Sequence, residues 1–229
     1  MAIALAGARI FDGSAFHDDH VVIIDGARIT ALMPCAQVPG GVEVRDLSGG
    51  VLAPGFIDVQ VNGGGGALLN DNPTAATVRH IAESHRKFGT TGLLPTVITD
   101  APSVMRKAIE AVRTARSEGV ASVLGIHIEG PFLDVERKGA HVLRFIREMT
   151  DADVDEIAAA DCGAVMLTVA PNRVKPDLIR RLTDRGVLVS LGHAEASHDE
   201  AIAALAVGAR AFTHLFNAMS PLLHRSPGV

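Results

Sequence analysis

Tryptophan and tyrosine are absent from the 229 residues, and aromatic side chains make up only 3%. A chain so poor in aromatics has no platform on which bases could stack. A formal net charge of -5 leaves no basic stripe for a phosphate backbone, so nucleic acid is not expected as a partner. Cysteine is scarce as well. Cys35 and Cys162 are too few and too isolated for a disulfide framework or a thiolate zinc site, which suits a reducing cytosol. No apolar run reaches bilayer length, since Arg210 and His214 interrupt even the stretch 201–216. The start MAIALAGARIFDG lacks the basic segment and long apolar segment of a secretory signal. A soluble cytoplasmic protein without a membrane partner is expected. Against these absences, 48% hydrophobic and 21% charged residues supply a large core and exclude a disordered or collagen-like chain.

Two patterns divide the chain. Residues 1–52 carry short β-type runs (MAIALAG, HVVIIDGARITAL, VEVRDL) punctuated by Gly, Pro and Asp, and read as a small β-domain. From residue 53 to 229, β-rich runs alternate with helical stretches: GFIDVQV, GLLPTVI, VLGIHIEG, AVMLTVAP, VLVSLGH and AFTHLFNA. The helices have physical boundaries. Val78, Ile81, Ala82 and His85 recur at helical spacing before Gly89, and Val104, Met105, Ala108, Ile109 and Val112 make a stripe between Pro102 and Gly119. Pro176 and Gly186 bracket a third helix, while Ser197 with Glu200 forms a capping box for a fourth that ends at Gly208.

Serial βα units fit an open doubly wound sheet or a (β/α)8 barrel. The Gly63–Gly66 run is followed by Pro73 before any helix, which argues for a flexible loop and against a dinucleotide fingerprint. Polar residues instead gather at the C-terminal ends of several strands, where barrel enzymes build their sites: Gln60 and Asn62, His127 and Glu129, His193, and His214. An α/β fold is therefore expected, a TIM-type barrel that is incomplete at six βα units where a closed barrel has eight.

Period-two alternation puts Phe56, Asp58, Gln60 and Asn62 on one face of a strand and Ile57, Val59 and Val61 on the other, the apolar set facing outer helices. In GIHIEGPFL the same rule places His127 and Glu129 together on an inner face. A buried carboxylate needs an ion-pair partner or a metal, and this strand alone leaves both open. One carboxylate and two imidazoles from three strand ends, Glu129, His193 and His214, form a ligand set suited to Zn²⁺ or a similar divalent ion. No local zinc spacing supports it, so the fold has to assemble it.

The stretches APGFIDVQVNG, GIHIEGPFL, RKGAH, SLGHAEAS and THLFNAMSPLLHRSPG, in that order, resemble the N-acetylglucosamine-6-phosphate deacetylases of the amidohydrolase superfamily. The resemblance implies a (β/α)8 metallohydrolase with a small β-sandwich domain, removing the acetyl group of N-acetylglucosamine 6-phosphate. It implies Glu129, His193 and His214 as ligands of one divalent ion, Zn²⁺ or alternatively Fe²⁺, with Gln60 holding a water on it. Ala140, His141, Asn217, Ala218 and Arg225 become contacts to the amino-sugar phosphate, Arg225 reaching the neighbour's phosphate in a homodimer. Where several superfamily members carry HxH, this chain has Gln60-Val61-Asn62, which favours one metal over two. The family's catalytic Asp sits on the last barrel strand, beyond Val229. Either the 229 residues belong to a longer enzyme, or they are a non-catalytic remnant that binds metal or sugar phosphate.

Overall fold

A computed structural model describes all residues, 1–229. Short strands build the first unit, Met1–Gly55. They are β1 (Ala2–Ala6), β2 (Arg9–Phe11), β3 (Phe16–His17), β4 (His20–Asp25), β5 (Arg28–Pro34), β6 (Glu43–Asp46) and β7 (Val51–Leu52). Gly26, with φ of 58°, makes the tight turn that pairs β4 with β5, and the larger sheet runs β5-β4-β1-β6. Ala4, Val21 and Ile23 are its buried centre; β3, β2 and β7 form a second sheet.

The second unit, Phe56–Val229, is a six-stranded parallel sheet with helices between its strands. In chain order its elements are β8 (Phe56–Val61), a hairpin of β9 (Gly63–Gly64) and β10 (Ala67–Leu68), α1 (Ala75–Arg86), β11 (Thr90–Ile98), α2 (Pro102–Ser117), β12 (Gly125–Glu129), α3 (Asp151–Ala158), β13 (Ala164–Val169), α4 (Pro176–Thr183), β14 (Leu188–Leu191), α5 (His198–Ala206) and β15 (Ala211–Phe212). Each strand lies beside its predecessor, in the order β8-β11-β12-β13-β14-β15, as parallel crossovers require. This is six strands of an incomplete barrel. Ile126, Ile128, Leu167, Val189 and Leu191 from the strands meet Val78, Ile81, Ala108, Val112, Ile157, Ile179 and Leu182 from the helices in one core. No helix is long and apolar enough to cross a membrane.

Three local features differ from the sequence reading. Ile57 and Val59 of β8 are 66% and 45% exposed, because β8 is an edge strand and α1 packs on β11 and the hairpin. The Gly63–Gly66 run is a tight hairpin, and α1 pins it: His80 Nε2 and His85 Nε2 each donate to a carbonyl, of Gly65 and Gly63, at 2.9 Å.

Helix α3 lies between β12 and β13 where no helix was expected. Its signal is a capping box with Asp in the third position: the Thr150 hydroxyl accepts from Asp153 N, and the Asp153 carboxylate accepts from Thr150 N. Arg147 donates to both carboxylate oxygens at 2.7 and 2.5 Å. Burial raises the Asp153 pKa, but the bonds from Arg147 and Thr150 outweigh it and hold the carboxyl below its ordinary value. Its stabilisation is thus complete above about pH 4 and lost as pH falls through the folded-state value. Asp153→Ala should lower stability by about 2 kcal/mol at pH 7, measured by urea unfolding, and the deficit should shrink below about pH 4.

Candidate metal centre

Glu129 is the last residue of β12, and His193 and His214 each lie two residues beyond the end of their strand, β14 and β15. Both histidines have left-handed backbone, φ of 50° and 57°, a strained conformation for a side-chain-bearing residue. The sharp turns bring both rings to one atom: His193 Nε2 lies 3.1 Å and His214 Nε2 3.0 Å from the same oxygen, Glu129 Oε1. The ligand atoms of the three residues all lie within 4.8 Å of one another. Glu129 and His193 are buried, whereas the His214 side chain is 35% exposed, which leaves the cluster open on one side.

That side is a cleft of about 580 Å³. Gln60, Ala140, His141, Asn217 and Ala218 all line it together with the three clustered residues. Gln60 Nε2 is 3.4 Å from His214 Nε2, and His141 Nε2 is 3.9 Å from Glu129 Oε1. Arg225 does not line the cleft; it is exposed in the short turn joining Leu223 and Ser226. Asp58 is not at the cleft either, and its Oδ1 accepts from Gln60 N at 3.0 Å.

The electrostatics bear on what the cluster can hold. Burial works against the Glu129 carboxylate, yet His141 and His193 beside it keep its pKa well below the usual range, so it is ionised. His193 Nδ1 donates to the Arg137 carbonyl at 2.8 Å, which leaves Nε2 facing the carboxylate. A neutral His193 would point a lone pair at Glu129 Oε1. Only a proton on Nε2 or a cation between the two satisfies both atoms. In agreement, burial lowers the His193 pKa but the Glu129 and Arg137 contacts raise it more, to above its ordinary value. An ionised carboxylate, two converging imidazole nitrogens and an open side fit a divalent metal.

Beneath the cluster runs a chain of buried polar groups that joins His127 to three hydroxyl residues missed in the sequence, Thr168, Thr213 and Ser190. His127 Nδ1 donates to the Val59 carbonyl at 2.9 Å, and His127 Nε2 lies 2.7 Å from Thr168 Oγ1. Thr213 Oγ1 is 2.7 Å from both Thr168 Oγ1 and Ser190 Oγ. Their only signal is an inward-facing hydroxyl in an otherwise apolar strand. Burial pushes the His127 imidazole down to about 4, against the charge of Glu129 and the Val59 bond. His127 should therefore stay neutral, protonated on Nδ1, from pH 7 down to about pH 4. Histidine ¹⁵N spectra across that range check this, and a doubly protonated ring at pH 6 would contradict it.

Parallel strands that carry a carboxylate and two imidazoles to their C-terminal ends, beside one cleft, place a candidate metal site where (β/α) barrels build their active sites. Comparison with known families is consistent. The profile of the amidohydrolase family matches residues 51–226, and that of the NagA composite domain matches residues 3–52. The chain belongs to the amidohydrolase family. It is 44% identical over 183 residues to an N-acetylgalactosamine-6-phosphate deacetylase of Shewanella sp. (strain ANA-3), covering 80% of this chain and 46% of that protein. It is 36% identical over 222 residues to the N-acetylglucosamine-6-phosphate deacetylase of Haemophilus influenzae (97% and 58%). The crystal structure of N-acetylglucosamine-6-phosphate deacetylase from Pasteurella multocida superposes with a TM-score of 0.95 at 34% identity, over 100% of this chain and 61% of that one. The chain thus spans about half the length of the curated relatives it matches.

Proposed function

We propose that the protein hydrolyses the acetamido group of N-acetylglucosamine 6-phosphate to glucosamine 6-phosphate and acetate, in the cytoplasm and as a homodimer. One divalent ion would be held by Glu129, His193 and His214, Zn²⁺ first and Fe²⁺ as the alternative. The observation that carries this reading is the meeting of both Nε2 atoms on the single oxygen Glu129 Oε1 at the mouth of one cleft. Relatives named as amino-sugar-phosphate deacetylases support the substrate class. Residues 1–52 would form the small β-domain and residues 53–229 the catalytic barrel.

When bound, the ion supplies Lewis acidity, polarising an amide oxygen and making water a nucleophile near neutral pH. The chain's own residues do the rest of the binding and orienting. The Arg137 carbonyl fixes the His193 tautomer, and Gln60, beside His214, would hold the attacking water. Ala140, His141, Asn217 and Ala218 line the cleft where the sugar would lie, and Arg225 would reach the phosphate bound by a second copy. The proton acceptor is assigned to no residue of 1–229. Divalent-metal-dependent release of acetate from N-acetylglucosamine 6-phosphate, lost in Glu129→Ala, tests the reading. Ligand-dependent stabilisation without turnover would instead indicate a non-catalytic binder. The Shewanella relative at 44% identity favours a second reading, N-acetylgalactosamine 6-phosphate, and a side-by-side assay of the two epimers decides between them.

The raised pKa of His193 also sets a pH dependence. A proton on Nε2 competes with the metal, so affinity should fall as pH drops below the folded-state value, which lies above about 6.5. Zn²⁺ titrations between pH 6 and 8 should show tighter binding and less proton release at the higher pH. A pH-independent affinity would mean that His193 Nε2 carries no competing proton over that range.

A further inference from the structure

The buried chain of polar groups joins residues of β8, β12, β13 and β14 and the residue after β15, passing across β11, and each member is paired with a residue of the cleft or lies within three residues of one. Val59 precedes Gln60 on β8; His127 is two residues before Glu129 on β12; Thr168 is the register partner of Glu129 on β13; Thr213 precedes His214. Ser190, on β14 three residues before His193, ends the chain. His127, Thr168 and Ser190 have no exposed surface and Thr213 is 4% exposed.

Packing alone does not explain these residues. Valine has nearly the shape of threonine and would avoid the cost of burying a hydroxyl. A file of hydrogen bonds of 2.7 to 2.9 Å does what apolar contact cannot: it ties β8 to β12 across β11, and β12, β13, β14 and the end of β15 to one another, through directional bonds. Its order is set from one end. The Val59 carbonyl takes the Nδ1 proton of His127, so Nε2 accepts from Thr168, Thr168 accepts from Thr213, and Thr213 accepts from Ser190.

Gly192 is an independent sign that the file bears on the ligands. A Cβ there would lie 2.9 Å from Thr213 Cβ and 3.1 Å from Thr168 Cγ2. The turn that carries His193 therefore rests directly on the two threonines.

We propose that His127, Thr168, Thr213 and Ser190 are positioning residues that hold Glu129, His193 and His214 at metal-binding distance. This rests on the reading of those three as ligands.

The test uses the 229-residue chain, with Co²⁺ as a probe read by its visible absorption, alongside thermal unfolding without metal. Thr213→Val keeps the shape and removes the central hydroxyl. It should weaken Co²⁺ binding by about 10- to 100-fold and alter the visible band, and Thr213→Ser should restore both. Ser190→Ala removes only the terminal hydroxyl and serves if Thr213→Val does not fold; a severalfold loss of affinity with an altered band is expected. Wild-type affinity and spectrum in the folded variants, whatever their thermal stability, would overturn the proposal and leave the file a stabilising element only. Absence of Co²⁺ binding by the wild-type chain would overturn the ligand assignment itself, and this inference with it.

Discussion

Glu129→Gln should weaken Zn²⁺ binding at pH 7 by at least about 100-fold, measured by competition with a chromophoric chelator. Structural zinc sites bind with about 10–16 kcal/mol, roughly 3 kcal/mol for each of four ligands, so loss of one ligand alone accounts for a factor of that size. Here the loss goes further. Glu129 Oε1 is the atom on which both imidazole nitrogens converge, and its carboxylate is the only charged ligand of the three. The amide is neutral, and its NH₂ group turned toward the rings would occupy the lone pairs a metal needs. His193 should also lose the contact that raises its pKa, so the variant's residual affinity should depend less on pH. A Glu129→Gln chain that binds Zn²⁺ within a factor of a few of wild type would remove Glu129 from the ligand set.

Gly125→Ala should destabilise the chain by about 3 kcal/mol or more, although it adds only one methyl group, at the opposite end of β12 from Glu129. Gly125 opens β12 opposite Ala164 of β13, where Ala164 N donates to Leu124 O at 3.0 Å. A Cβ at position 125 would fall inside the van der Waals shells of the Ala164 oxygen, nitrogen and carbonyl carbon. All three are backbone atoms of a paired strand, so no rotamer change relieves the clash, and strands β12 and β13 have to separate. Gly40→Ala is the control, since nothing lies within 4 Å of a Cβ there and its backbone is not left-handed. It should change stability by no more than about 0.5 kcal/mol. Equal urea midpoints for the two variants would mean that β12 and β13 approach less closely at their start than described. Because β12 ends on Glu129, Gly125→Ala should also weaken metal binding wherever it folds.

Local chemistry was enough to read the serial βα order from the sequence. Pro102 and Pro176 open helices α2 and α4, Ser197 and Glu200 cap α5, and Gly89, Gly119, Gly186 and Gly208 have the left-handed backbone expected after each of four helices. These signals act over a few residues and survive without knowledge of the fold. Helix α3 was just as local and was overlooked, because it is only eight residues long and its capping box uses Asp153 in place of Glu or Gln. The inward face of β12 was legible for the same reason: strict alternation separates Ile126 and Ile128 from His127 and Glu129.

Distances across the sheet were decided by tertiary structure alone. Glu129, His193 and His214 could be nominated by residue type and strand end, but only the parallel order β12-β13-β14-β15, with two left-handed turns, brings both imidazoles to one carboxylate oxygen. The exposed face of β8 depends on α1 packing over β11, and the Gly63–Gly66 hairpin depends on His80 and His85 of α1. The polar file depends on the sheet bringing the inner faces of β8, β12, β13 and β14 and the end of β15 together. A side-chain period reports which way a residue faces and carries nothing about what it will meet. Sequence therefore determined the elements and the chemical types available at their ends, whereas the sheet, by fixing strand order and spacing, decided which of those groups share a site.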